Sequence, residues 1–158
     1  MLTESSIDKS LLKDVIQEKF GIRIVKFTLV PKWEAARGYI IESSNQKNFF
    51  LKIYWDDKIP DSAFRFADAL IARAGIVNIA HPIPNSHGQM RIQIRDFQIA
   101  LFDWISGETA QEHKLTDTQL GRLGELLAKI HQSKTIIGGI LSKREFCDSV
   151  QRSTRSDS

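Results

Sequence analysis

The sequence predicts an α+β fold. The expected architecture is a five-stranded, mostly antiparallel sheet with one packed helix, preceded by an N-terminal helix and followed by a connector and a long helix. Three observations carry this expectation. The apolar period changes from helical to alternating after Gly21 and returns to helical near residue 60. The first three strand-like stretches are joined by short connections, which suit antiparallel neighbours and not parallel ones. Each helical stretch opens on a capping or starter residue, and two of them end at a glycine, Gly21 and Gly75.

Residues 5–20 read as an amphipathic helix, with Ile7, Leu11, Leu12, Val15 and Ile16 at helical spacing. Ser5 with Asp8 resembles a capping box, and Gly21 is the expected stop. Ile22, Ile24, Phe27, Leu29 and Val30 then form a β-branched and aromatic stretch. A small-residue turn over Glu34, Ala35, Ala36, Arg37 and Gly38 leads to a second strand at Tyr39, Ile40 and Ile41. Ser43, Ser44, Asn45 and Gln46 make a polar hairpin turn, and residues 49–55 form a third strand, apolar except for Lys52.

Residues 60–74 predict the next helix. Pro60 suits its first turn, Phe64, Ala67, Leu70 and Ile71 form its stripe, and Gly75 ends it. His81-Pro82-Ile83-Pro84 reads as a rigid extended linker. Residues 90–94 and 98–104 predict another hairpin. A polar connector at 107–115 precedes a second capping box, Thr116 with Gln119. Leu120, Leu123, Leu127 and Ile130 then run along one face of a helix that reaches about His131. Ser142 with Glu145 marks one more helix start, and residues 149–158 are expected to fray.

Composition narrows the function classes. Apolar residues at 42% and charged residues at 26% are ordinary for a globular chain, which excludes wholesale disorder. The apolar runs are too short for a membrane span, and Glu4 and Asp8 stand where a secretory signal needs an apolar core. A single cysteine, Cys147, excludes a disulfide framework and any multi-cysteine zinc site, so the expected compartment is cytoplasmic. The net charge is only +3, and Lys and Arg are scattered without a run of three, which argues against a nucleic-acid face. His81, His87, His113 and His131 show no metal-ligand spacing.

Lys52 is the residue with chemistry to explain. In an alternating strand it shares a face with Phe50 and Tyr54, while Leu51 and Ile53 point the other way. A lysine inside such an apolar run must either reach solvent or find an anion, because an unpaired buried ammonium is costly.

Four stretches together resemble the aminoglycoside phosphotransferase and choline kinase-like family, with the spectinomycin phosphotransferase branch nearest. They are Phe49 through Tyr54; Gly75-Ile76 leading to His81-Pro82-Ile83-Pro84; Leu101-Phe102-Asp103-Trp104-Ile105-Ser106-Gly107; and Leu115-Thr116-Asp117 through Ile130-His131. The resemblance implies a protein-kinase-like N-terminal lobe. It makes residues 1–106 a nucleotide-binding lobe, 107–148 a connector with the first helix of a C-terminal lobe, and 149–158 a disordered tail. It assigns Lys52 to the α- and β-phosphates of ATP or GTP. It places the adenine-accepting carbonyl at Asp103 and the donating amide at Ile105, with Phe102 lining the back; Trp104 either stacks there or packs outward. The family pairs its lysine with a glutamate on the following helix. Residues 60–74 contain none, which leaves Asp68 as a shorter substitute or as a surface charge.

The family also carries a His-Gly-Asp catalytic loop and acidic ligands for Mg2+. No His-Gly-Asp triplet occurs here, since His87-Gly88 is followed by Gln89. The expectation is therefore the ATP-binding portion of a small-molecule kinase linked to antibiotic resistance, inactive by itself, with no catalytic or metal-binding residue in these 158 positions. The intact enzyme would use Mg2+ and bind a small-molecule acceptor; no nucleic acid or membrane partner is expected. The alternative is a non-catalytic kinase-like interaction module, with self-association through the Leu120–Ile130 helix face.

Overall fold

A computed structural model describes residues 8–30, 37–55, 61–108 and 113–138. The expected turn at 34–36, Pro60 as a helix starter, the helix start at Ser142, Cys147 and the tail at 149–158 lie outside the described residues.

Helix α1 (Lys9–Phe20) begins at Asp8, not at Ser5. Asp8 Oδ1 accepts from the amides of Ser10 at 2.9 Å and Leu11 at 3.2 Å, so Asp8 is itself the N-cap and not the third residue of a capping box. The Ser10 hydroxyl, donating at 2.7 Å, and those two amides hold the Asp8 carboxyl below its ordinary value. The helix stops at Gly21, whose φ of 68° is left-handed and whose N–H donates to the Gln17 carbonyl.

Strands β1 (Ile24–Val30), β2 (Arg37–Ser43) and β3 (Asn48–Tyr54) form the expected antiparallel meander. Between β2 and β3 the Ser43 hydroxyl donates to the Lys47 carbonyl at 2.7 Å, and Gln46 takes the left-handed position at φ 61°. β4 (Pro82–Ile83), β5 (Ile92–Ile94) and β6 (Phe97–Asp103) complete the sheet, in which β6 pairs with β3 on one edge and with β4 and β5 on the other. Every pair is antiparallel. The sheet thus has six strands, not the five expected, and the sixth is the stretch read as a linker. Its prolines keep the backbone extended, and Pro82 lacks an N–H, so β4 is a two-residue edge strand.

The chain forms two compact units. The first holds α1 and the sheet, within Met1–Asp57 and Pro82–Trp104; the second holds α2 (Asp61–Ala74), α3 (Asp117–Gln132) and α4 (Lys134–Ile137), within Lys58–His81 and Ile105–Ser158. In the first, Leu12 and Ile16 of α1 are fully buried with Tyr39, Ile41, Leu51, Ile53, Ile99 and Leu101 from one face of the sheet. In the second, Ala69, Leu70, Ile76 and Ile137 form a smaller core, against which Leu126 and Ile130 pack. Gly75, at φ 66°, closes α2, and the Ile76 amide reaches back to the Leu70 carbonyl at 3.0 Å.

The capping box of α3 is present as expected. Gln119 N donates to Thr116 Oγ1 at 3.3 Å, and Thr116 N donates to Gln119 Oε1 at 2.9 Å. The expected single apolar stripe is divided. Ile130 joins the core with Leu126, whereas Leu120, Leu123 and Leu127 remain 49%, 45% and 48% exposed. At about 100° per residue, Leu126 and Ile130 lie at one margin of the stripe, and the three leucines turn away from it. Among the described residues no helix is long and apolar enough to cross a membrane.

Candidate functional site

Burial alternates along β3. Phe49, Leu51 and Ile53 are buried, while Phe50 and Lys52 are only half-buried. The odd-numbered side face is the core beneath α1; the even-numbered face carries Lys52. Register places Gly38, Lys52 and Ala100 side by side across β2, β3 and β6, and Ile40, Phe50 and Phe102 in the next row. Lys52 is thus flanked by two residues with almost no side chain. A Cβ added to Gly38 would sit 2.8 Å from Phe50 Cζ, so any larger residue there turns the ring.

Lys52 Nζ lies 5.0 Å from the centre of the Phe102 ring and 5.8 Å from that of Phe50. Two ring faces attract the cation, but they do not replace water fully. Burial accordingly lowers the Lys52 pKa from its ordinary value. Tyr54, next on this face, is pushed up to about 12 by burial, against a smaller opposite pull from Arg91.

The predicted residues divide between the units. Lys52, Phe102 and Asp103 come together on the neighbouring strands β3 and β6. Phe102 is buried beside Lys52. Asp103 pairs in register with Phe49, and its Oδ1 lies 3.6 Å from Lys47 Nζ. Ile105 follows β6 in the second unit and is 57% exposed. Asp68 also belongs to the second unit, where His81 Nε2 lies 3.2 Å from its Oδ1.

Sequence reasoning passed over Gly38, Phe50 and Ala100 as site residues, and it left Trp104 undecided. The Trp104 ring lies 6.4 Å from the Phe50 ring at an interplanar angle of 35°, on the Lys52 side of the sheet. The signal for Phe50 was available, since it stands two positions before Lys52 in an alternating strand. Among the described residues no three His, Cys, Asp or Glu side chains gather as a metal site. A separate cavity of about 770 Å³ lies in the second unit, lined among others by Asn78, Arg122, Glu125 and Lys129, and holds none of the predicted site residues.

No family model and no curated protein matches the sequence. Solved structures do match. Spectinomycin phosphotransferase in complex with ADP and spectinomycin superimposes over 80% of this chain, with a TM-score of 0.69 and 22% identity. The chain has the aminoglycoside phosphotransferase, kinase-like fold. This phosphotransferase fold is matched again by the AMP-bound complex of spectinomycin phosphotransferase, over 78% of the chain at a TM-score of 0.61 and 25% identity. Amicoumacin kinase in complex with AMP-PNP, Ca2+ and Ami matches over 83%, at a TM-score of 0.63 and 14% identity. The chain spans only 38%, 37% and 41% of the length of these three, and corresponds to the N-terminal part of the phosphotransferase fold.

Proposed function

We propose that this chain is the nucleotide-binding part of a small-molecule, aminoglycoside-type phosphotransferase, which moves the γ-phosphate of ATP to a substrate hydroxyl. The observation that carries the reading is Lys52: an ammonium with a lowered pKa, half-buried beside two aromatic rings on the sheet face opposite α1. A triphosphate is an anion that a half-buried ammonium on this sheet face can bind through charge-assisted hydrogen bonds. The three matched structures contain ADP, AMP and AMP-PNP, which supports the same ligand class.

In this reading Lys52 holds the α- and β-phosphates. The Asp103 carbonyl accepts from the adenine amine, the Ile105 amide donates to the ring, and Phe102 and Phe50 wall the base. Mg2+ would neutralise phosphate charge in the whole enzyme; no step of the transfer is assigned to residues 1–158. Isothermal titration with ATP, with and without Mg2+, tests the proposal. Saturable binding is expected, weakened at least about tenfold by Lys52→Ala, the cost of one charge-assisted contact. Absence of binding in the wild type, or equal affinity in Lys52→Ala, would overturn it.

The exposed leucines of α3 favour a second reading, a kinase-like interaction module without nucleotide affinity. It predicts no heat of ATP binding, together with a mass that rises with concentration in sedimentation equilibrium and falls back for Leu123→Glu.

A further inference from the structure

We infer that the exposed side of α3 is a dimer surface: two copies of this chain pack α3 against α3, antiparallel, and cross at Gly124. The inference goes beyond the second reading above by fixing which strips meet and in which register. It concerns the second unit alone and holds whether or not the chain binds nucleotide.

The interior of α3 contains Gly121 and Gly124. Glycine is less favourable there than alanine, because it loses more backbone freedom on folding. The fold makes no use of the missing side chains: a Cβ added at either position would meet nothing within 4 Å. At about 100° per residue, Leu123, Leu127 and Leu120 form one strip along α3. It lies between the side where Leu126 and Ile130 meet their core and a second strip of Gly124, Ala128 and Gly121. Both strips are exposed. A ridge of leucines beside a furrow of small residues fits a second helix that carries the same pair, each ridge in the other's furrow.

Charge selects the direction and the register. Asp117 stands in the first turn of α3 and His131 in the last, both on the side of these strips. Parallel copies would set Asp117 against Asp117. Antiparallel copies set Asp117 of each against His131 of the other, at both ends of the contact, and oppose the two helix dipoles. In that register Gly124 faces Gly124 across the two-fold axis. Leu120 of each copy faces Ala128 of the other, and Leu127 faces Gly121, so the contact is isologous. Sliding one copy by four residues instead sets Leu127 against Asp117 and leaves His131 without its acid. Arg122, Glu125 and Lys129 line the cavity on the other side of α3 and stay outside the contact.

Sedimentation equilibrium of the full chain, with and without ATP, tests the inference. A reversible monomer–dimer equilibrium is expected in both. Gly124→Leu puts bulk at the crossing and is expected to raise the dimer dissociation constant at least about tenfold. Because the space around Gly124 is empty and leucine favours a helix, this variant should unfold at the same or higher urea concentration than wild type, which guards against a folding defect. Asp117→Lys and His131→Glu should each weaken the dimer about fivefold, and the two together should restore it; Arg122→Glu, off the contact, should leave it unchanged. A chain that stays monomeric at every concentration overturns the inference and leaves the leucines of α3 to a different polypeptide. A dimer that Gly124→Leu leaves intact, or that the paired charge reversal fails to restore, overturns it too. A chain that dimerises as expected but gives no heat with ATP overturns the nucleotide reading and not this one.

Discussion

The ammonium of Lys52 and the phenol of Tyr54 stand on the same face of β3, and burial moves their pKa values in opposite directions. Between the lowered Lys52 value and 10.5, the unfolded chain carries a proton that the folded chain lacks, so rising pH favours folding. Between 10.0 and about 12, the folded chain keeps the Tyr54 proton that the unfolded chain has lost, so rising pH favours unfolding. Urea unfolding across this range is therefore expected to show an alkaline decline that Tyr54→Phe reduces, and tyrosinate absorbance should show a phenol titrating near 12 that Tyr54→Phe removes. Lys52→Met keeps the apolar stem and removes the desolvated charge. It is expected to unfold at the same or higher urea concentration than wild type while losing ATP binding, a division that a purely structural lysine would not show. The shared face of Phe50, Lys52 and Tyr54 was legible in the sequence because a strand alternates with a period of two. The direction of Trp104 was not, because it lies past the end of its strand, where alternation no longer constrains the backbone.

Helix starts and turns are local devices, and the sequence announces them unevenly. Thr116 and Gln119 were readable as a reciprocal cap because both partners lie within one turn of α3. Thr116→Ala is expected to cost about 1 kcal/mol in urea unfolding, the usual loss for an N-cap hydroxyl. At α1 the same pattern misled: Ser5 and Asp8 match the box, yet Asp8 turns its own carboxylate onto the Ser10 and Leu11 amides. Since those bonds hold its pKa down, α1 should lose stability as pH falls through the range below 3.8, and Asp8→Asn should remove that dependence in circular dichroism. Gln46 occupies a left-handed position that glycine adopts freely, so Gln46→Gly should raise stability by about 0.5 kcal/mol, strain relief offset by lost chain entropy. The edge strand β4 escaped the sequence because a two-residue Pro-Ile segment carries no period; only the presence of Phe102 and Leu101 opposite it makes it a strand.

Each unit of the molecule has its own buried cluster, and the consequence of a leucine substitution depends on where the leucine falls. Leu101 is fully buried in the sheet core, and Leu101→Ala is expected to cost about 2–5 kcal/mol in urea unfolding. Leu123 is 45% exposed, and Leu123→Ala should stay within about 0.5 kcal/mol of wild type. Leu101 reads as a strand residue and Leu123 as a member of a helical stripe, and neither pattern by itself says how deeply the side chain is buried. The sequence by itself determined the α+β class, the order of the longer elements, the meander and the residues that share a face with Lys52, because periods, caps and tight turns are settled among neighbours a few positions apart. Only the tertiary structure decided which face of the sheet is covered by α1, which leucines of α3 meet a core, and that Trp104 lies beside Phe50. These outcomes depend on pairings between residues distant in the chain, such as Lys52 with Ala100, and no local pattern encodes the partner.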